Sequence, residues 1–536
     1  MQTFHALPHR RKMQLILLFF FVVGLAVYGG SLRNPFISVD DPLLITENLD
    51  VQSISAETLK SIFSRFDPEL YMPFTFLAYQ LQYAFSGPHP FTFHLVSLLM
   101  HIVNAFLVYV LLGKLTKAPQ LSLFAGLLFL VHPLHTEAVV WASAQKDLLS
   151  AFFFLASLLA YLSFAETERR KKYYGSLLLF LCGLFSKPTV LLLPFIFLLT
   201  DFWNRRKWGP ALFIEKIPFF LLSVAFGIVG LIGKVQTVEA GSFGESLLTG
   251  ARGSLMLLRR MVWPRPLSII YPYTEHIGFL SPGFVLPLLF ILLLLVFAWR
   301  KRREVPALFV GVVWFFLLVA PSSLNVRKGE NFGDLVLTSD RYAYLASIGI
   351  LLLFIVAVQP VYERILQKHN GRKILAVFSA ATIAFFGVLT LQYGSQWRSE
   401  RTLFNHVIRY EPNARFAYKI LGDGFRERGL LKEAIESYTA ALAIRPTGRV
   451  YIQLGQTYLD SGKLEEAVEA LTKSLEFNPL HAGVYLNIGV AYTRMGRWDD
   501  AVAAFKRSAE LDPSSPIPQK NIEAVQYRQL LEKLGG

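Results

Sequence analysis

Long apolar blocks fill the first 395 residues, and after them the chain changes to a charged, helix-periodic pattern. The first block, Met13–Gly30, follows His9-Arg-Arg-Lys12. It is long for the apolar region of a cleaved leader, and many blocks follow, so it reads as a retained helix. Further blocks lie near 92–113, 119–132, 146–165, 173–186, 188–203, 212–233, 283–299, 305–320, 341–360 and 372–392. The pattern predicts about eleven spans, two or three of them shorter than the ~20 residues of a full crossing. Between the first two, Ala56–Phe66 and Pro73–Phe85 read as short interfacial helices, the second mixing aromatics with amides.

The tail repeats. Leu421-Gly422, Leu454-Gly455 and Ile488-Gly489 recur at the tetratricopeptide period of about 34 residues. Each copy adds an aromatic (Phe425, Tyr458, Tyr492), a turn glycine (Gly429, Gly462, Gly496), a small residue (Ala434, Ala467, Ala501) and a closing proline (Pro446, Pro479, Pro513). Small residues let paired helices approach, and Gly and Pro end them. Leu403–Pro412 matches the second helix of a partial repeat, and Ile517–Leu534 reads as a capping helix. The expected fold is all-α: a polytopic membrane domain over 1–395, a partial repeat or linker over 396–413, three repeats over 414–513 and a cap over 514–536. Such arrays bind protein partners in a concave groove.

Composition supports this division. Of 536 residues 53% are hydrophobic and only 17% charged, against roughly 25% in soluble domains. The net charge of +15 does not point to nucleic acid, because most basic residues sit in short runs between apolar blocks. Those runs are 9–12, Lys114/Lys117, Arg169-Arg-Lys-Lys172, Arg205-Arg-Lys207, Arg300-Lys-Arg-Arg303 and 364–373. With eleven spans all six fall on one side, which the positive-inside rule makes cytoplasmic. The loops at 31–91, 133–145, 234–282 and 321–340, and the repeat tail, then face outward. The implied location is an inner, cytoplasmic membrane with a cytoplasmic N-terminus and a periplasmic or external tail. The single Cys182 excludes an intramolecular disulfide.

Ionisable groups at span ends are costly and therefore functional candidates. On the outer side stand Asp40-Asp41, His132-Pro-Leu-His-Thr-Glu137, Lys146-Asp147, Lys187 and Asp340-Arg341, with His101 and Asn104 deeper in the second span. Plainer roles compete. Asp40-Asp41 before Pro42 suits a helix cap, Lys187 can snorkel to headgroups, and Lys146-Asp147 and Asp340-Arg341 can be ion pairs. His132, His135 and Glu137 suit zinc chemically but lack a metalloprotease spacing. His101 and Asn104 suit interhelical hydrogen bonds.

In this order the motifs resemble the transmembrane-and-TPR-containing O-mannosyltransferases, polytopic glycosyltransferases of the GT-C type. The matching pieces are Val39-Asp-Asp41 with Asn48, Tyr71-Met-Pro73, His94 through Asn104, His132–Glu137, Lys146-Asp147, Ser186-Lys187 and Asp340-Arg-Tyr-Ala-Tyr-Leu345. Met72 departs from the family, which tends to carry arginine there; the short membrane domain and few repeats suggest a bacterial relative. The resemblance implies transfer, with inversion, of mannose or a similar hexose from a polyprenyl-phosphate donor to hydroxyls of a protein, the repeats recruiting the acceptor or a partner. It implies Asp40 or Asp41 as base, with Asp40 favoured by analogy. Lys187 and Arg341 would hold the donor phosphate, with His132, His135, Glu137 and Lys146 shaping the site. No metal or other cofactor is expected, a divalent ion at the aspartates being the alternative. The rival readings are transfer to a lipid or polysaccharide, and a non-catalytic membrane-tethered scaffold for envelope assembly.

Overall fold

The structure, a computed structural model, describes residues 8–66, 70–235, 239–240, 242–273, 275, 277–321, 327–328 and 336–535. The predicted outer loop at 321–340 therefore lies largely outside the described residues. The chain forms two compact units, one within 1–399 and one mainly of 400–536.

The first unit is helical: α1 (His9–Tyr28), α2 (Ala56–Ser64), α3 (Pro73–Ser86), α4 (Pro90–Thr116), α5 (Pro119–Val131), α6 (Thr136–Val140), α7 (Gln145–Thr167), α8 (Arg170–Ser186), α9 (Leu193–Trp203), α10 (Ile217–Val235), α11 (Phe243–Val262), α12 (Pro282–Lys301), α13 (Pro306–Val319), α14 (Ala343–Leu366) and α15 (Gly371–Gly394). Helices α3, α4, α5, α12 and α13 begin on proline, whose missing N–H is lost at no cost in a first turn. The two short helices expected at the interface, α2 and α3, stand within two residues of their expected ends.

Among the described residues seven helical segments are long and apolar enough to cross a membrane, or eight when the bent pair 119–131 and 133–140 counts as one. This is fewer than the eleven predicted spans. Every predicted block is helical, but Pro188–Trp203 and Pro306–Val319 are shorter apolar helices, and α8 has only 17 residues. The 49° bend of the pair falls at His132-Pro133. Proline disfavours helical backbone at the preceding residue, and His132 sits at φ −74, ψ 126. Close packing is local: a methyl on Gly349 would stand 2.7 Å from the Gly311 carbonyl, so α13 and α14 meet backbone to backbone.

The second unit is a helical array: α16 (Glu400–Tyr410), the pairs α17 (Arg415–Glu427) with α18 (Leu431–Ile444), α19 (Gly448–Asp460) with α20 (Leu464–Leu475), and α21 (Ala482–Arg494) with α22 (Trp498–Leu511), then α23 (Ile517–Gly535). Gly429, Gly462 and Gly496 take φ of 72°, 77° and 72° between paired helices, a region glycine enters without Cβ penalty. Gly422, Gly455 and Gly489 lie against Tyr438, Leu471 and Phe505, where a methyl would approach to 2.7, 2.6 and 2.5 Å. Ala434, Ala467 and Ala501 are fully buried opposite them.

Candidate active site

Adjacent Asp40 and Asp41 point in different directions. After α1 the chain makes a short 3-10 segment, then a single π-helical turn over Pro42–Thr46. Asp41 is fully buried. Its Oδ2 accepts the Ile37 N–H at 2.8 Å, its Oδ1 the Ser143 N–H at 2.9 Å, and the Ser143 hydroxyl donates to Oδ1 as well. None of these donors belongs to the following turn, so neither a cap nor an open carboxylate describes it. Asp41 ties the loop after α1 to the turn before α7. Burial, with a smaller push from Asp40, raises its carboxyl to about 6 against the lowering effect of its hydrogen bonds. The Asp40 side chain remains 37% exposed, with Lys146 Nζ 3.7 Å from its Oδ2.

From Asp40 a chain of charges crosses three elements. Lys146 and Asp147 lie in the first turn of α7, Lys187 follows α8, and Arg341 lies in the 3-10 turn Asp340–Tyr342 before α14. Lys187 Nζ meets Asp147 Oδ1 at 2.5 Å, and Arg341 Nε lies 3.9 Å from Asp147 Oδ2. Arg341 Nη1 contacts Glu137, whose carboxylate also accepts the Ser339 hydroxyl at 2.5 Å and the Arg341 N–H at 3.2 Å. The Arg341 guanidinium lies 4.8 Å from the Trp141 ring centroid, and Lys187 Nζ 5.7 Å from that of Tyr342. Three cations thus face three carboxylates, Asp40, Asp147 and Glu137. A buried charge is stable only when so paired.

Arg341 does not pair with Asp340, correcting that alternative. Asp340 is fully buried and accepts the Tyr271 hydroxyl at 2.9 and 2.8 Å, with Arg260 Nη1 3.7 Å away. His132 and His135 sit apart from this chain of ion pairs. His132 Nε2 lies 3.1 Å from the Met261 carbonyl, and its Nδ1 accepts the Leu134 N–H at 3.2 Å. His135 Nδ1 is 2.8 Å from the Phe129 carbonyl and Nε2 is 3.3 Å from the Ser347 hydroxyl. With His101, Phe129 and Tyr344 these rings form a buried aromatic layer, in which His101 bridges the Tyr344 hydroxyl (2.8 Å) and the Leu130 carbonyl (3.0 Å). Asn104 donates to the Leu148 carbonyl at 2.9 Å, so both residues serve the interhelical role their spacing suggested. Among the described residues no group of three or more His, Cys, Asp or Glu is arranged to hold a metal.

The sequence names Asp147 among the candidates, beside Lys146 as an ion pair, but gives it no role in the site. Ser143, Ser339 and Trp141 carried no signal at all, since only the fold brings them to Asp41, Glu137 and Arg341. A second charge network occupies the opposite ends of α7 and α9. There Lys216, fully buried, meets Asp201 and Glu215 at 2.5 Å each, and the Tyr161 hydroxyl lies 2.7 Å from Asp201 and 2.9 Å from Glu215.

In the repeat unit a polar groove of about 470 Å³ opens over Asp423. That carboxylate accepts the Tyr438 hydroxyl at 2.7 Å, the Gln453 amide at 2.7 Å and Lys419 at 2.6 Å.

The fold and site together describe a polytopic membrane protein with a buried cation cluster at the span ends and a tetratricopeptide tail. Residues 71–230 match the family model of dolichyl-phosphate-mannose-protein mannosyltransferases, and residues 452–516 match the tetratricopeptide repeat. The human protein O-mannosyl-transferase TMTC1 is 26% identical over 78% of this chain and 54% of its own length. Human TMTC4 is 24% identical over 78% of this chain and 64% of its own. Human TMTC3 is 34% identical over 26% of this chain and 16% of its own. The chain is thus similar to these protein O-mannosyl-transferases, and spans about half to two thirds of the length of the first two. Among solved structures, the crystal structure of MamA is 23% identical over 25% of this chain and 78% of its own, with a TM-score of 0.24.

Proposed function

We propose that this protein is an integral-membrane glycosyltransferase that moves a mannose-type hexose from a polyprenyl-phosphate donor to hydroxyl groups of a protein. The convergence of Lys146, Lys187 and Arg341 beside the half-exposed Asp40 carries the reading. Asp40 takes the proton of the acceptor hydroxyl as its oxygen attacks the anomeric carbon from the side opposite the phosphate. The carbon–oxygen bond to phosphate breaks, the configuration inverts, and the polyprenyl phosphate departs. Lys187 and Arg341 meet the charge growing on the phosphate in a site with little water, where such contacts act most strongly. Lys146 Nζ, 3.7 Å from Asp40 Oδ2, aims that carboxylate. Asp41 holds the loop rather than the proton, and His132 and His135 pack the layer beneath. No step calls for a metal, because the cations supply the charge.

The reaction runs on the external face of the membrane, with the N-terminus cytoplasmic and the repeats outside; the six basic clusters support this orientation when the shorter apolar helices cross as well, as in the eleven predicted spans. The groove over Asp423 takes an extended acceptor segment. The test compares envelope glycoproteins, by intact mass, from cells with the full chain, with Asp40→Asn, and with residues 414–536 removed. The reading expects protein-linked hexose only with the full chain. Unchanged transfer without the repeats removes their role in recruitment, and unchanged transfer with Asp40→Asn removes the catalytic assignment.

A further inference from the structure

We infer that Asp340 is a positioning residue for Arg341, acting through a clamp formed with Tyr271 and Arg260; this rests on the reading of Arg341 as a contact to the donor phosphate. Asp340 and Arg341 are neighbours in one 3-10 turn, yet their side chains enter different networks. Arg341 reaches Glu137 and Asp147. Asp340 turns the other way, fully buried, onto the Tyr271 hydroxyl, which itself receives the Ser268 N–H at 2.6 Å. The Arg260 guanidinium stacks 3.7 Å from the Tyr271 ring centroid and faces Asp340.

The clamp is anchored in the backbone. Leu337 N–H donates to the Tyr271 carbonyl at 2.9 Å. Helix α11, which carries Arg260, passes so close to this strand-like stretch that a methyl on Gly253 would stand 2.7 Å from the Leu337 carbonyl. Gly253 and Arg260 are seven residues apart and share a helix face, so one surface of α11 lies against residue 337 and brings a guanidinium within 3.7 Å of Asp340. The turn presenting Arg341 is thereby held from two sides, by Glu137 through Ser339 and by Tyr271 and Arg260 through Asp340. A bare ion pair within the core needs none of this convergence on one turn. A cation meant for a phosphate does, because misplacement of about 1 Å costs on the order of 100-fold in rate.

The test is a double-mutant cycle on the purified full chain with a short-chain polyprenyl-phosphate mannose as donor. Asp340→Asn and Tyr271→Phe are made singly and each in an Arg341→Lys background, and the KM for donor is read separately from kcat. Tyr271→Phe removes one hydroxyl only and serves where Asp340→Asn lowers the yield of folded protein. The clamp predicts that each single change lowers kcat roughly tenfold with little change in the donor KM, and adds nothing once Arg341 is lysine. Full additivity in the double variants overturns the inference, since Asp340 then acts independently of Arg341. If Arg341→Lys itself leaves kcat unchanged, the phosphate reading of Arg341 fails first and the inference falls with it.

Discussion

Lys187 Nζ and Asp147 Oδ1 lie 2.5 Å apart in a setting that leaves each side chain no more than 10% exposed. The two residues come from different elements, forty positions apart, and neither has a second buried carboxylate or ammonium as close among the ion pairs of this cluster. Removing one partner leaves the other charged and buried. Lys187→Ala is expected to destabilise the membrane unit by about 3–5 kcal/mol. Removing both, as in Lys187→Met with Asp147→Leu, restores much of that stability while transfer stays lost. Thermal unfolding in detergent, read beside transfer activity, checks the pair.

Asp41 gives the pH dependence a sign. Its carboxyl is raised to about 6 in the folded chain, so between about pH 4 and 6 the folded state holds a proton that the unfolded state has released. Stability from this group is therefore fully present at low pH and declines as pH rises through that window. Asp41→Asn should remove this slope. It also replaces one acceptor oxygen by an NH2 facing the Ile37 or Ser143 donors, costing about 1–3 kcal/mol at neutral pH. Melting temperatures of both proteins from pH 4 to 8 decide it; parallel curves count against the assignment.

How much of this was legible in the sequence depends on how local each signal is. The repeats were readable to within a few residues, because Gly422, Gly455 and Gly489 must face Tyr438, Leu471 and Phe505 at a fixed distance along the chain. Lys187, Arg341 and Lys146 were readable as candidates because an ionisable group at a span end needs a reason to be there. The different fates of Asp40 and Asp41 were not. The direction of each depends on an irregular turn and on Ser143, 102 residues away. The pairing of Arg341 with Glu137 instead of Asp340 likewise depends on Tyr271 and Arg260, which no periodicity marks. The span count suffered because α8, α9 and α13 are apolar without being long.

The repeat unit offers a steric test. A methyl at Gly489 would stand 2.5 Å from the Phe505 ring. Gly489→Ala is expected to destabilise the last helix pair by about 1–3 kcal/mol through overpacking. Hydrogen exchange measured by mass spectrometry on the full chain should show faster exchange in α21 and α22 than in the membrane helices. Unchanged protection there contradicts the packing described.

The network at the opposite span ends provides a control. Lys216→Met removes the cation 2.5 Å from the buried Asp201 and leaves it Arg206 at 3.1 Å and the Tyr161 hydroxyl. It should lower stability by about 1–3 kcal/mol. Transfer per folded molecule should be unaffected, since Lys216 belongs to no part of the proposed site. A matched assay of folded yield and turnover separates the two effects.

The central claim is that Asp40, not Asp41, takes the acceptor proton, and the most direct measurement is the turnover of Asp40→Asn. With membrane levels and melting temperature equal to those of the unaltered protein, hexose transfer from polyprenyl-phosphate mannose to an acceptor protein should fall by about 10²–10⁴-fold. Turnover within a few-fold of the unaltered protein, at equal folded yield, contradicts the account.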